Sequence, residues 1–216
     1  MLRFRASLLW GIVLLLVAGV CGCSRRPRPP KWPKLKPAEA ARKAMEQYDA
    51  NRDGKLDAEE LKQSPPLADA IIPLEGEDRS PIDADGDGEL TEKEIRQRMA
   101  AWLRGHMVVC TQSTAVTLDG KDLEGATVTY DPEEFLGPAV QPTSDVTGQH
   151  GYCYPPGQDE NHPGIYIGLY RVRISKIVDG EETIPERYNT QTILGKEIAD
   201  DAPSTHRLLE YRLTSD

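Results

Sequence analysis

Two twelve-residue stretches carry oxygen-bearing side chains at the same offsets. The first runs from Asp49 to Glu60 and the second from Asp83 to Glu94. Positions 1, 3 and 5 are Asp49, Asn51 and Asp53 in the first, and Asp83, Asp85 and Asp87 in the second. Short oxygen ligands two residues apart suit a hard cation, which takes carboxylate and carbonyl oxygens rather than nitrogen or sulfur. Gly54 and Gly88, at position 6, permit the left-handed backbone that bends a chain around an ion. Lys55 and Glu89, at position 7, offer main-chain carbonyls, so the site places little constraint on their side chains. Asp57 and Thr91, at position 9, act largely through water. Glu60 and Glu94 close each stretch with two oxygens, and a bidentate glutamate favours the larger Ca2+ over octahedral Mg2+. Two Ca2+ ions are expected, one per loop.

Every fixed position of both stretches fits the EF-hand pattern, so this region resembles an EF-hand pair. The loops start 34 residues apart. That spacing suits a face-to-face arrangement in which Leu56 and Leu90, at position 8, meet on a short two-stranded ribbon. The flanking helices are less regular. Residues 38–48 form a candidate helix entering the first loop, with Pro37 at its start. An exiting helix over 59–63 is stopped by Ser64, Pro65 and Pro66. Residues 67–74 have helical character interrupted by Pro73, and Pro81 argues against a regular helix entering the second loop. A clear exiting helix runs over 91–104, with Ile95, Met99, Trp102 and Leu103 on one face. Met45, Met99 and Met107 are the only methionines after residue 1. That is too few to line a target groove, so the pattern favours a fixed pair over an opening sensor.

The elements around the loops sit in a chain of 216 residues, enough for one ordinary domain or two small ones. Mean hydropathy is −0.52. Eight of the 26 Lys and Arg fall in residues 1–36, which hold no Asp or Glu, so the remainder carries a net charge of −17. A body this acidic repels phosphate backbones, and nucleic acid is not expected as a partner. Arg3 and Arg5 precede an apolar stretch over 8–20, followed by small residues and cysteine, which is the layout of a secretory signal. The apolar run falls short of the ~20 residues a spanning helix needs. Val20-Cys21-Gly22-Cys23 resembles a bacterial lipobox. That resemblance implies acylation of Cys23, which would make it the mature N-terminus and a membrane anchor. Plain secretion and an uncleaved signal anchor are the alternatives. Prolines alternating with Arg and Lys over 24–37 read as an extended tether.

From Met107 onward short strand-like runs take over. Asp119-Gly120 signals a turn, Gly125 leads into a run ending at Tyr130, and Tyr170, Val172 and Ile174 alternate with Arg171 and Arg173. The stretch 117–130, the turn around Ser144, Asp145 and Gly148, and the run 163–174 resemble a carboxypeptidase regulatory-like domain. The run Ile184-Pro185-Glu186 and Tyr188-Asn189 fits the same resemblance, which covers about residues 109–213. It implies a transthyretin-like β-sandwich that packs or binds and has no catalysis of its own. Gln149-His150-Gly151 departs from the family's glycine–x–aromatic step, so a shifted or bulged strand is expected there. The expected fold class is therefore α+β as separate domains. Residues 1–23 form the signal and lipobox, 24–37 the tether, 38–106 a small helical EF-hand pair, and 107–216 an antiparallel β-sandwich.

After residue 23 only Cys110 and Cys153 remain. Export favours a disulfide between them, with two buried thiols as the next reading. His106, Cys110, His150 and Cys153 together could also furnish a tetrahedral zinc site. No nucleophile elbow, zinc-protease helix or phosphate-cradling loop occurs, so no catalysis is expected. The expected role is a calcium-stabilised structural or binding module at the cell envelope. An envelope protein or glycan is the expected partner class beyond calcium and the membrane. The rival readings are a calcium-responsive adaptor and an accessory component of an extracytoplasmic enzyme.

Overall fold

A computed structural model describes residues 34–73, 76–77, 79–156, 163–202 and 208–216. The signal, Cys23 and all of the tether before Lys34 lie outside the described residues. No helix among the described residues is long and apolar enough to cross a membrane.

The helical part opens with α1 (Pro37–Tyr48), whose proline stands in the first turn, where a missing N–H costs nothing. Ala40, Ala41, Ala44, Met45 and Tyr48 are buried along one face of α1. After the first loop's β1 (Lys55–Leu56) comes α2 (Ala58–Leu61), a single turn. Pro65 and Pro66 do stop that turn, but they also start the next helix, α3 (Pro65–Ala70), by occupying its first positions. Proline breaks a helix from within and initiates one from its first turn. The described residues between Ile72 and Asp83 contain no helix, so the second loop is entered through bends, as Pro81 suggested. The loop's β2 (Leu90–Thr91) leads into α4 (Glu92–Trp102), which buries Ile95, Met99 and Trp102.

The β part runs through β3 (Val109–Cys110), β4 (Thr114–Leu118), β5 (Lys121–Asp122), β6 (Thr127–Pro132), β7 (Thr143–Val146) and β8 (Tyr152–Cys153). It continues with β9 (Ile165–Tyr166), β10 (Gly168–Ser175), β11 (Ile177–Val178), β12 (Glu181–Glu182), β13 (Gly195–Ile198) and β14 (Leu209–Leu213). One sheet has the order β13-β10-β6-β7 and is antiparallel throughout. The other has the order β14-β4-β5, with β8 also paired to β4. The sheets are antiparallel as expected, with one pairing that departs from it. β14 runs parallel to β4, from Leu209 opposite Thr114 to Leu213 opposite Leu118. A parallel partner needs a long crossover, and the whole chain between β4 and β14 supplies it. The interiors of the two sheets meet where the Thr114 hydroxyl lies 2.6 Å from the Tyr130 hydroxyl.

Asp119-Gly120 forms the expected two-residue hairpin turn, with Leu118 opposite Lys121 and both turn residues at positive φ. At Gln149–Gly151 the chain makes a short 3-10 turn with His150 at φ 60, and Tyr152-Cys153 then joins β4. The departure there is thus a turn rather than a bulge.

The helical and β regions follow one another in the chain, but their buried side chains belong to one continuous core. α3 packs on β10 and β13. Gly195 makes this approach feasible, because a Cβ there would lie only 2.1 Å from the Pro65 carbonyl carbon. With α3 above it, β10 buries Gly168, Leu169 and Tyr170 in succession, and strict alternation begins only at Val172.

Candidate metal centre

The two acidic loops share a framework of amide-to-side-chain hydrogen bonds. In the first, the Gly54 amide donates to Asp49 Oδ2 (3.1 Å), the Asp53 amide to Asn51 Oδ1 (2.8 Å) and the Lys55 amide to Asp53 Oδ1 (2.9 Å). In the second, the Gly88 amide donates to Asp83 Oδ2 (3.1 Å), the Asp87 amide to Asp85 Oδ1 (3.3 Å) and the Glu89 amide to Asp87 Oδ1 (2.9 Å). Gly54 at φ 87 and Gly88 at φ 82 make the turn that brings these amides inward. Position 4 is left-handed as well, at Arg52 (φ 62) and Gly86 (φ 74), a requirement the sequence pattern does not disclose.

The closing glutamates reach back across their loops. Glu60 Oε1 accepts from the Ala50 and Asn51 amides at 2.8 and 3.2 Å, and Oε2 from the Asp57 amide at 3.1 Å. Glu94 Oε1 accepts from the Ala84 amide (3.1 Å) and Oε2 from the Thr91 amide (3.0 Å). Asp57 and Thr91 cap α2 and α4, each in a reciprocal capping box with its glutamate. Position 9 therefore starts the exiting helix as well as facing the site. Between the loops, β1 and β2 pair antiparallel with Leu56 opposite Leu90, both fully buried, as the spacing implied.

Two observations bear on whether the loops fit a cation. Asp49 Oδ1 is buried and accepts no hydrogen bond among the described residues. A buried acceptor without a donor is costly unless something else neutralises it. Ligand atoms of Asp83, Asp85 and Asp87 lie within 4.8 Å of one another, the one such cluster among the described residues. Three carboxylates this close repel unless a cation lies between them. The donor set of hard oxygens, with a glutamate holding both oxygens inward, fits Ca2+.

The loops are fixed to the β region by residues that the ligand pattern does not include. Tyr48, directly before Asp49, donates to Glu133 Oε2 at 2.6 Å, and Ser64, soon after Glu60, donates to Glu133 Oε1 at 2.8 Å. Arg171 completes this cluster, with Nε 3.2 Å from Glu133 Oε1 and Nη2 donating to the Tyr48 hydroxyl (3.0 Å) and to the Gln63 carbonyl. Burial pushes the Glu133 carboxyl up, while Tyr48, Arg171 and Ser64 oppose that shift. One helical turn beyond Glu94, Arg98 donates from Nε to Glu197 Oε1 at 2.6 Å and from both Nη atoms to Asp201 at 2.7 Å. Trp102 Nε1 shares Glu197 Oε1 at 2.8 Å. Arg98 and Glu197 are both buried. Burial pushes the Glu197 carboxyl up against the pull of Arg98, while Arg98 holds the exposed Asp201 carboxyl below its usual range.

Of the cysteine readings, the disulfide is corrected and the two buried thiols are what the structure has. Cys110 on β3 and Cys153 on β8 are buried thiols in different ladders, and no disulfide joins them. Burial pushes their thiols up to about 11 and about 12. The zinc alternative fails too, because His150 is exposed and turned to Asp122, 3.4 Å away. Neither histidine joins the two sulfurs in a ligating group.

Residues 42–63 and 82–100 match the family model described as EF hand. Those two segments take in both loops with α2 and most of α1 and α4. The match thus supports an EF-hand pair for the helical region and calcium as its ligand. No curated protein and no solved structure matches the chain.

Proposed function

We propose that the chain is an exported calcium-binding protein, lipid-anchored through Cys23, in which filled EF-hand loops hold the helices that dock the β region. It is a structural or binding module at the cell envelope and carries no chemistry of its own. The observation that carries this reading is the placement of the docking residues. Tyr48 and Ser64 bracket the first loop and meet on Glu133, and Arg98 follows the second loop and meets Glu197 and Asp201. A change in either loop's closure therefore acts on a buried contact with the sheets. Asp49, Asn51, Asp53, Glu60 and the Lys55 carbonyl would hold one ion, with Asp57 acting through water. Asp83, Asp85, Asp87, Glu94 and the Glu89 carbonyl would hold the other, with Thr91 in the position of Asp57.

Export and anchoring rest on the basic start, the apolar run and the Val20–Cys23 motif. A transthyretin-like domain for residues 107–216 rests on the resemblance of its turns and strands. A cation present at about 100 times its Kd stabilises the folded chain by about 2.7 kcal/mol. Thermal unfolding followed by circular dichroism tests the reading. Removing calcium is expected to lower the Tm while the β signal persists below the transition. An unchanged Tm contradicts a stabilising role. A large calcium-dependent gain in apolar dye binding would turn the assignment toward a sensor.

A further inference from the structure

We infer that the Lys55 side chain is a tethered cation on the second loop, weakening that loop's grip on calcium so that the first loop fills before it. The inference rests on the calcium reading above and adds a side chain that the ligand pattern does not use. Lys55 is a first-loop residue whose carbonyl is the position-7 ligand there. Its place on β1, opposite Thr91 of β2, carries the side chain across the ribbon. Its ammonium lies 3.0 Å from Asp87 Oδ2 and 2.5 Å from Glu89 Oε2. Asp87 Oδ1 already accepts the Glu89 amide, so both oxygens of this position-5 ligand are engaged.

The first loop has no such cation on its own position 5. Asp53 Oδ2 there accepts from the uncharged Asn51 amide, at 3.0 Å. The residue matching Lys55 in the second loop is Glu89, an anion. A divalent ion approaching the second loop therefore meets a resident positive charge, whereas one approaching the first meets a neutral amide. The Arg79 guanidinium, which donates to the Ala84 carbonyl at 2.9 Å, adds positive charge to the same loop. Lys55 and Glu89 are 44% and 38% exposed, so the ammonium can leave Asp87 and keep Glu89, whose side chain is not a ligand. A unit charge about 6 Å from a divalent ion, in water-like dielectric with physiological screening, weakens binding by about three- to tenfold.

The test is calorimetric calcium titration of the full chain in a Glu60→Gln background, which silences the first loop and reads the second alone. Adding Lys55→Gln is expected to tighten the remaining site about three- to tenfold. The gain should shrink at 1 M salt, where the Debye length is about 3 Å. Lys55→Arg, which keeps the charge, should leave the affinity near that of the parent. If Glu60→Gln fails to fold, the same substitutions are read in the unmutated chain as a shift of the weaker of its two sites. Two bound ions with a second-loop affinity that Lys55→Gln leaves unchanged, or weakens, would overturn the role of Lys55 and leave the calcium reading intact. Absence of calcium binding to the unmutated chain would overturn both.

Discussion

The first loop has a helix on each side, α1 before Asp49 and α2 from Ala58. The second is entered through bends and left through the 11-residue α4. Their interiors share the position-6 amide on position 1 and the position-9 amide on the closing glutamate, and differ at position 1, where Asp83 Oδ1 accepts the Gly86 amide while Asp49 Oδ1 has no donor among the described residues. Their attachments differ. The first loop is gripped from both ends by one buried carboxylate, Glu133, whereas the second is held at its exit by Arg98. Loop geometry is thus a local property, written in a dozen residues. The surroundings of each loop are a tertiary property, set by whichever sheet residues reach it.

The comparison is broken most severely at the second loop's attachment. Arg98→Met leaves Glu197 buried without its cation, and breaking a buried pair in this way costs about 3–5 kcal/mol. The deficit depends on pH. Burial already raises the Glu197 carboxyl, and removing Arg98 raises it further, so its ionisation destabilises the folded state above the unfolded pKa. The deficit should therefore shrink as pH falls toward about 4.5, the ordinary glutamate range. Denaturant unfolding of the variant and parent at several pH values checks the sign. A deficit that grows on acidification would contradict it.

Calcium removal comes next, at about 2.7 kcal/mol for an ion present at about 100 times its Kd. Glu133→Gln should cost about 1–3 kcal/mol, because Tyr48, Ser64 and Arg171 keep only a neutral acceptor. Its sharper readout is selectivity. First-loop calcium affinity should fall and second-loop affinity should hold, since the Glu133 carboxylate meets the first loop's brackets and Arg171. The smallest effects should come from Gly54→Ala and Gly88→Ala. Each forces a side chain into left-handed backbone at about 1–2 kcal/mol. Because the two glycines share their φ and their amide bond to position 1, the two losses should be nearly equal. Unequal losses would show that the surroundings reach into the loops.

How much of this was legible in the sequence follows from the same distinction. The ligand positions, the position-6 glycines, the Leu56–Leu90 ribbon and the missing entering helix at Pro81 could all be read, because each is fixed within a few residues of itself. The Asp179-Gly180 hairpin between β11 and β12 carried an equally local signal, an Asp-Gly pair flanked by strand residues, yet did not enter the reading. Glu133, Arg171, Arg98 and Glu197 could not be read. Their partners lie 85 residues away for Tyr48 and Glu133, and 99 for Arg98 and Glu197, and no periodicity records such a pairing. The parallel placement of β14 has the same origin, since alternation of apolar residues shows which face is buried but not the direction of the neighbouring strand. Cys110 and Cys153 show the limit of an argument from compartment. Export favours oxidation, but the ladders on which the two sulfurs sit decide whether they meet.

The central claim is that each loop binds one calcium ion through its own closing glutamate. Calorimetric titration of the chain beside Glu60→Gln and Glu94→Gln tests it most directly. Two sites are expected in the parent and one in each variant, with the surviving site belonging to the unmutated loop. No binding in the parent, or a variant that keeps both sites, would contradict it.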